Sequence, residues 1–223
     1  KVLVTAIIFV VKSCLDPDLS SFSIDIKLEI VLCKKKGPYV FYFIDRYNIE
    51  ELTNLEKNID LIFRNYNKSP KIDEIESIQK FCKANKRNFY LSNNIELALK
   101  MGLNGVYIPS FNKSLNFASM YSLPNNFEII GSAHNINQIR IKVFQKCSKI
   151  FLSPIFKSKK NEKFLSTIKF NLMTMYKNID FIALGGINEN NYKKLKLTKV
   201  VGFAGISWIK KNGLRKLRPF LKI

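Results

Sequence analysis

From Tyr39 onward the sequence alternates short apolar runs with longer, mixed polar and apolar segments, and the rhythm repeats to the C-terminal region. Its clearest instance is Phe181-Ile182-Ala183-Leu184-Gly185-Gly186-Ile187-Asn188, followed by Val200-Val201-Gly202-Phe203-Ala204-Gly205-Ile206-Ser207. A run apolar on both faces is a strand buried on both sides, the environment of a parallel sheet covered by helices. Each of these two runs reaches a glycine where the next connection begins. That constraint leaves few architectures.

Read in order, the runs are Tyr39 to Ile44, Ile59 to Phe63, Asn88 to Leu91, Gly105 to Ile108, Glu128 to Gly131 and Lys149 to Leu152, with the final pair as strands seven and eight. Helical spacing lies between them, over Ile72 to Ala84, up to Lys100 after an Asn/Ser cap at 92–94, and up to Lys146 after Ser132-Ala133-His134-Asn135. Trp208 to Leu221 is read as the closing helix. Eight strand–helix units predict an α/β fold, a TIM (β/α)8 barrel over residues 37–223. The rival is an open doubly wound sheet, but no GxGxxG follows an early strand.

Residues 1–36 read differently. Phe22, Ile24, Ile26, Leu28, Ile30 and Leu32 alternate with mostly polar residues, a strand with one wet face, before Lys34-Lys35-Lys36-Gly37-Pro38 breaks the pattern. This portion is expected to be an N-terminal accessory extension. Its run Val2 to Val11 is too short for a membrane span, which needs about 20 apolar residues.

Lys and Arg number 37 against 17 Asp and Glu, a formal charge of +20. Such an excess attracts anions. The lysines occur in nearly every segment and form no single stripe, and neither an RNA-binding aromatic motif nor a helix-turn-helix signature accompanies them. Small phosphorylated ligands are therefore expected ahead of nucleic acid. The four cysteines are scattered without CxxC spacing, which argues against a zinc site or disulfide framework and for a reducing, cytoplasmic setting.

In a barrel, functional groups follow the strand ends, and phosphate is often held after the last two strands, where glycine lets backbone N–H groups approach an anion. The strand-end residues also carry a resemblance. Tyr42-Phe43-Ile44-Asp45-Arg46 is similar to a first strand ending in Thr-Asp-Arg, and Leu61-Ile62-Phe63-Arg64 to one ending in Gln-Leu-Arg-Glu-Lys. Glu96 to Leu99 with Gly105 to Ile108 fits Asp-Leu-Ala-Leu…Gly-Val-His-Leu. Ser132-Ala133-His134-Asn135, Pro154-Ile155-Phe156 and Ala183-Leu184-Gly185-Gly186-Ile187 complete the series. Across residues 39–209 the chain resembles thiamine phosphate synthase and its sister, the thiazole tautomerase.

The resemblance implies a TIM barrel that joins hydroxymethylpyrimidine diphosphate to thiazole phosphate with loss of pyrophosphate. The leaving group departs first, and the thiazole nitrogen attacks the resulting pyrimidine cation. By position, Arg64 would hold the diphosphate and Ser132 would lie near the pyrimidine and the departing oxygen. His134 would orient neighbours in a synthase or transfer protons in a tautomerase. Gly185, Gly186, Gly205, Ile206 and Ser207 would cradle the thiazole phosphate. The diphosphate would also meet Ser92, Asn93, Asn112, Ser158, Lys159 and Lys160.

Four departures bear on this reading. Asn93 and Asn112 stand where the family has aspartates that bind magnesium; a carboxamide keeps an oxygen but loses the charge such an ion prefers. Magnesium is accordingly weakened as a cofactor, and no metal ligand is assigned. Tyr66 replaces the lysine near the family arginine, and the Thr-x-Thr-Lys of the sixth loop survives only loosely as Ser158-Lys159-Lys160-Asn161. Three functions remain: a divergent synthase, a tautomerase using His134, or a non-catalytic barrel that binds phosphorylated ligands or, less favoured, nucleic acid. Oligomeric state has no signature in the sequence.

Overall fold

Every strand alternates side chains between two apolar environments, and the closed sheet supplies both. The computed structural model describes residues 38–56, 58–66, 71–158, 162–175 and 179–205. Its strands are β1 Tyr39–Ile44, β2 Ile59–Phe63, β3 Phe89–Ser92, β4 Gly105–Ile108, β5 Glu128–Ala133, β6 Lys149–Leu152, β7 Asp180–Leu184 and β8 Gly202–Gly205. All pair in parallel with their sequence neighbours, and β8 returns to β1 through Tyr39↔Gly202 to Tyr42↔Gly205. The chain is a closed eight-stranded TIM-type barrel.

Val40, Tyr42 and Ile44 of β1 face outward into a shell of apolar residues shared with the helices, including Ile75, Ile78, Ala98 and Ile139. Phe41 and Phe43 face inward with Ile62, Tyr90, Tyr107, Ile130, Phe151, Ile182 and Ala204. This interior is unusually aromatic. Phe41 meets Phe151 edge-on at 5.0 Å between ring centroids, and Phe43, Tyr107 and Phe151 form a triangle with sides of 5.3, 5.7 and 5.8 Å. Such T-shaped contacts set positive ring edges against negative faces and add to area burial. At the opposite, N-terminal end, Lys149 Nζ donates to Glu128 Oε1 at 2.6 Å and Tyr90 Oη to Glu128 Oε2 at 2.7 Å, so the charges that close the floor are mutually satisfied.

The helices are α1 Ile49–Thr53, α2 Ile72–Ala84, α3 Ile95–Lys100, α4 Ile136–Phe144 and α5 Ser166–Met173, with a 3-10 helix over Tyr192–Leu197. Asparagine starts three of them: Asn48, Asn94 and Asn135 each accept a hydrogen bond from the backbone N–H three residues on, as an N-cap should. None of these helices is long and apolar enough to cross a membrane.

The expected bounds hold for β1, β2, β4, β6 and α2. Others shift. β3 starts one residue later, at Phe89, and β8 begins at Gly202 instead of Val200. β5 continues to Ala133, because Ser132 and Ala133 pair with Phe151 and Leu152 although their small polar character reads as a turn. The strict strand–helix alternation also fails twice. Residues 109–127 between β4 and β5 are turns without a helix, and the β7–β8 connection is only the 3-10 helix. The expected extension 1–36 and closing helix Trp208 to Leu221 lie outside the described residues.

Candidate active site

The C-terminal ends of the strands bring most of the anticipated residues to one mouth. Arg64 is the first residue after β2, and its backbone N–H donates to the carbonyl of Ile44 at 2.7 Å. Its guanidinium carbon lies 4.6 Å from the centre of the Phe43 ring and 5.9 Å from that of Tyr66. Stacking on a ring restrains the planar fork while leaving its N–H edge available to an anion. No ion pair ties Arg64 to the neighbouring strand-end Asp45.

Ser132, second from the end of β5, points into the barrel and is 4% exposed. Its Oγ lies 2.9 Å from Tyr107 Oη, the donor in this pair. Burial pushes the Tyr107 phenol up to about 12, while Ser132 and the nearby Arg64 charge act in the opposite direction. Tyr107 is therefore a neutral hydroxyl at neutral pH. Sequence reading passed over it because it sits inside an apolar run; the sole clue was that it replaces the histidine of the matched Gly-Val-His-Leu segment.

His134 directly follows β5 and is exposed. Its Nδ1 lies 2.8 Å from the carbonyl oxygen of Ser153 and 3.2 Å from Ser153 Oγ. A carbonyl only accepts, so Nδ1 carries the proton, and Nε2 of the neutral ring keeps a basic lone pair. The backbone N–H of His134 is held by Gln138 Oε1 at 2.7 Å, which fixes where the ring emerges.

Asn93 and Asn112 come into direct contact. Asn112 Nδ2 donates to Asn93 Oδ1 at 2.6 Å, and Asn112 Oδ1 accepts from the Ser114 N–H at 3.0 Å. Asn93 adopts φ +57°, a left-handed conformation that asparagine tolerates better than most residues. The helixless 109–127 segment is held from below by α4 and its C-cap. Lys142, 0% exposed, donates to the carbonyls of Pro109 and Asn112 and to Gln145 Oε1, each at 2.8 Å. Gln145 Nε2 donates to the carbonyls of Asn112 at 3.2 Å and Ser114 at 2.8 Å. Burial lowers Lys142 to about 8. Neither Lys142 nor the C-cap Gln145 was anticipated, since a lysine at helical spacing reads as a solvated face.

These observations test the fit of magnesium. The ion takes near-octahedral, mostly anionic oxygen ligands. The two side chains at the aspartate positions are neutral, and both of their oxygens already accept hydrogen bonds. No group of three or more His, Cys, Asp or Glu suited to a metal occurs among the described residues. The residues present do not fit the family's magnesium.

Gly185 and Gly186 follow β7 with φ +87° and +73°. A Cβ on Gly186 would lie 2.1 Å from the Phe156 carbonyl oxygen, and one on Gly185 2.9 Å from Pro154 Cβ. The β6 and β7 loops are joined here, with the N–H groups of Ile155 and Phe156 donating to the carbonyls of Leu184 and Gly185 at 3.0 and 3.2 Å. Only glycine permits this turn. Ser92 ends β3, with Oγ 3.4 Å from Tyr66 Oη, and the exposed Tyr66 ring meets Phe111 at 5.3 Å. Gly205 ends β8, and Ser158 lies in the loop after β6. Lys159, Lys160, Ile206 and Ser207 lie outside the described residues.

Known proteins share this sequence and fold. Residues 54–209 match the family model described as thiamine monophosphate synthase. A thiamine-phosphate synthase of Prochlorococcus marinus subsp. pastoris is 31% identical over 150 residues, covering 65% of this chain and 42% of that protein. One from Hydrogenobaculum sp. is 23% identical over 174 residues, 75% of this chain and 81% of that protein. The chain spans about two fifths of the length of the Prochlorococcus relatives it matches. Among solved structures, a thiamine phosphate pyrophosphorylase from Pyrococcus furiosus superposes with a TM-score of 0.67 at 16% identity, covering 84% of this chain and 96% of that one. At that identity the likeness speaks to the fold.

Proposed function

The chain belongs to the thiamine monophosphate synthase family, and we propose that it is a transferase of thiamine biosynthesis. In this reading it couples hydroxymethylpyrimidine diphosphate to thiazole phosphate in the cytoplasm and releases pyrophosphate. The observation that carries the reading is that Arg64 and Ser132 both act on Tyr107 at the barrel mouth, within the matched segment.

The chemistry suits such a set. When pyrophosphate leaves before the nucleophile attacks, the enzyme must neutralise the departing charge and place the thiazole nitrogen; it needs no strong base. Arg64 would take the diphosphate through its fork, and Ser132 would give a hydrogen bond to the oxygen that departs. Asn93, whose oxygen is occupied by Asn112, keeps its amide NH₂ as a donor that would serve an anion. The position that elsewhere offers charge to a cation here offers donors to an anion. Gly185 and Gly186, with Gly205, Ile206 and Ser207, would hold the thiazole phosphate on backbone N–H groups, while Ser92, Ser158, Lys159 and Lys160 would line the diphosphate side.

The test is formation of thiamine phosphate by the purified, folded protein from the two precursors, followed by oxidation of product to a fluorescent derivative and by pyrophosphate release. Turnover is expected with and without added magnesium. Absence of product at high enzyme concentration under both conditions overturns the proposal. A second reading, tautomerisation of a thiazole phosphate, draws on the basic Nε2 of His134. Isomerisation that continues undiminished in His134→Gln would remove it.

A further inference from the structure

Tyr107 is 2% exposed, and its ring is packed edge-on against Phe43 and Phe151. A phenol so deeply enclosed by aromatic carbon must place its single proton on a specific acceptor, because an unpaired buried hydroxyl is costly. Its polar neighbours are Ser132, 2.9 Å away, Arg64, which brings both charge and N–H donors to the phenol, and the Tyr66 hydroxyl, which acts on it only through its charge.

Donor and acceptor counting settles the direction of the chain. A guanidinium only donates, so the Tyr107 proton cannot turn toward Arg64 without setting like charges together. It goes to Ser132 Oγ. The serine oxygen is then an acceptor for Tyr107, and its own proton is left to donate elsewhere. A serine hydroxyl is ordinarily a free rotor that can donate or accept. Here Tyr107 occupies one of its lone pairs and turns its proton toward an incoming acceptor.

We propose that Tyr107 is a positioning residue: it holds the Ser132 hydroxyl as an obligatory hydrogen-bond donor to an anionic oxygen of the ligand. Tyr107 itself touches no reacting atom and acts through Ser132. The inference deepens the synthase reading and rests on its placement of Ser132 beside the leaving group. A preset donor stabilises developing negative charge more than a rotor that must first be ordered. Its effect should therefore appear in kcat more than in KM.

The experiment is a double-mutant cycle with Tyr107→Phe, Ser132→Ala and both together. Tyr107→Phe keeps the ring stack, and its melting temperature reports whether packing survives. With wild-type turnover, Tyr107→Phe should lower kcat about tenfold with little change in KM, and should lose nothing further in the Ser132→Ala background. Unchanged kcat, or an equal loss in both backgrounds, overturns the proposal. If the wild type shows no turnover, the synthase reading fails by itself, and the cycle is read on inorganic pyrophosphate affinity. Tyr107→Phe should then weaken binding severalfold only where Ser132 is present. Additive weakening, or no pyrophosphate binding by the wild type, overturns the role of Tyr107.

Discussion

Replacing both Asn93 and Asn112 by aspartate tests how this rim is held together. Their carboxamides share a hydrogen bond of 2.6 Å, so two carboxylates would confront each other across nearly the same gap. At a relaxed separation of about 4 Å the repulsion lies between about 1 kcal/mol in bulk water and about 4 kcal/mol near a protein surface. Asn93 is exposed and Asn112 partly so, which favours the lower half of that range. Adding about 1 kcal/mol for the lost hydrogen bond gives a total near 3 kcal/mol. For a chain of this size that corresponds to a melting temperature lower by roughly 6–12 °C. A divalent cation between the carboxylates would relieve the repulsion. Magnesium at tenfold its dissociation constant returns about 1.4 kcal/mol by mass action. Thermal unfolding of wild type and Asn93→Asp/Asn112→Asp, each with magnesium chloride or sodium chloride at equal ionic strength, separates the cases. The double variant should recover several degrees specifically with magnesium, and the wild type should not respond. A wild type stabilised as much as the variant, or a variant indifferent to magnesium, would refute the reasoning.

Two further outcomes follow from the walls of the mouth. Lys142→Met strips donors from the Pro109 and Asn112 carbonyls and from Gln145 Oε1, for a net loss of about 2 kcal/mol after relief of the buried charge. Burial holds Lys142 at about 8 in the fold, below the ordinary lysine value of 10.5, so the unfolded chain holds more protons between these values and the contribution of Lys142 to stability rises with pH across that window. The wild-type advantage over Lys142→Met in urea unfolding should thus grow above pH 8, by at most about 1.4 kcal/mol per pH unit; a flat difference would restore an ordinary lysine pKa. Gly186→Ala sets a methyl against the Phe156 carbonyl, whereas Gly102→Ala, at φ +60° with nothing within 4 Å, incurs backbone strain alone. Gly102→Ala should cost about 1 kcal/mol and Gly186→Ala clearly more, with lost affinity for thiazole phosphate; equal losses in denaturant titrations would show that the β7 turn yields easily.

What the sequence made legible was local. Continuous apolar runs between polar segments are readable because burial on both faces leaves no alternation, and β1, β2, β4 and β6 emerge with their bounds intact. Residues 109–127 were harder: the notion of eight equal units supplied a helix that the chain lacks, and Lys142 and Gln145 hold that segment through its carbonyls instead. Such a clamp joins residues about thirty apart, and no periodicity encodes it. The site divides in the same way. The placement of Arg64, Ser132 and His134 was legible because each lies within two residues of a strand end, and closure carries strand ends to one mouth. The pairs Asn93–Asn112 and Tyr107–Ser132 depend on inter-strand register. Ser92 lies beside Tyr107, and Tyr107 beside Ile130, two residues before Ser132. Register thus changes the meaning of the two substitutions. Read singly, each asparagine is an aspartate that lost its charge; placed together, they form a neutral clasp with an amide left to donate. The change at Tyr107 has the same sense, since it turns a neighbouring hydroxyl into a donor. In the proposed synthase, both alterations would move the mouth from holding a cation toward holding the diphosphate itself.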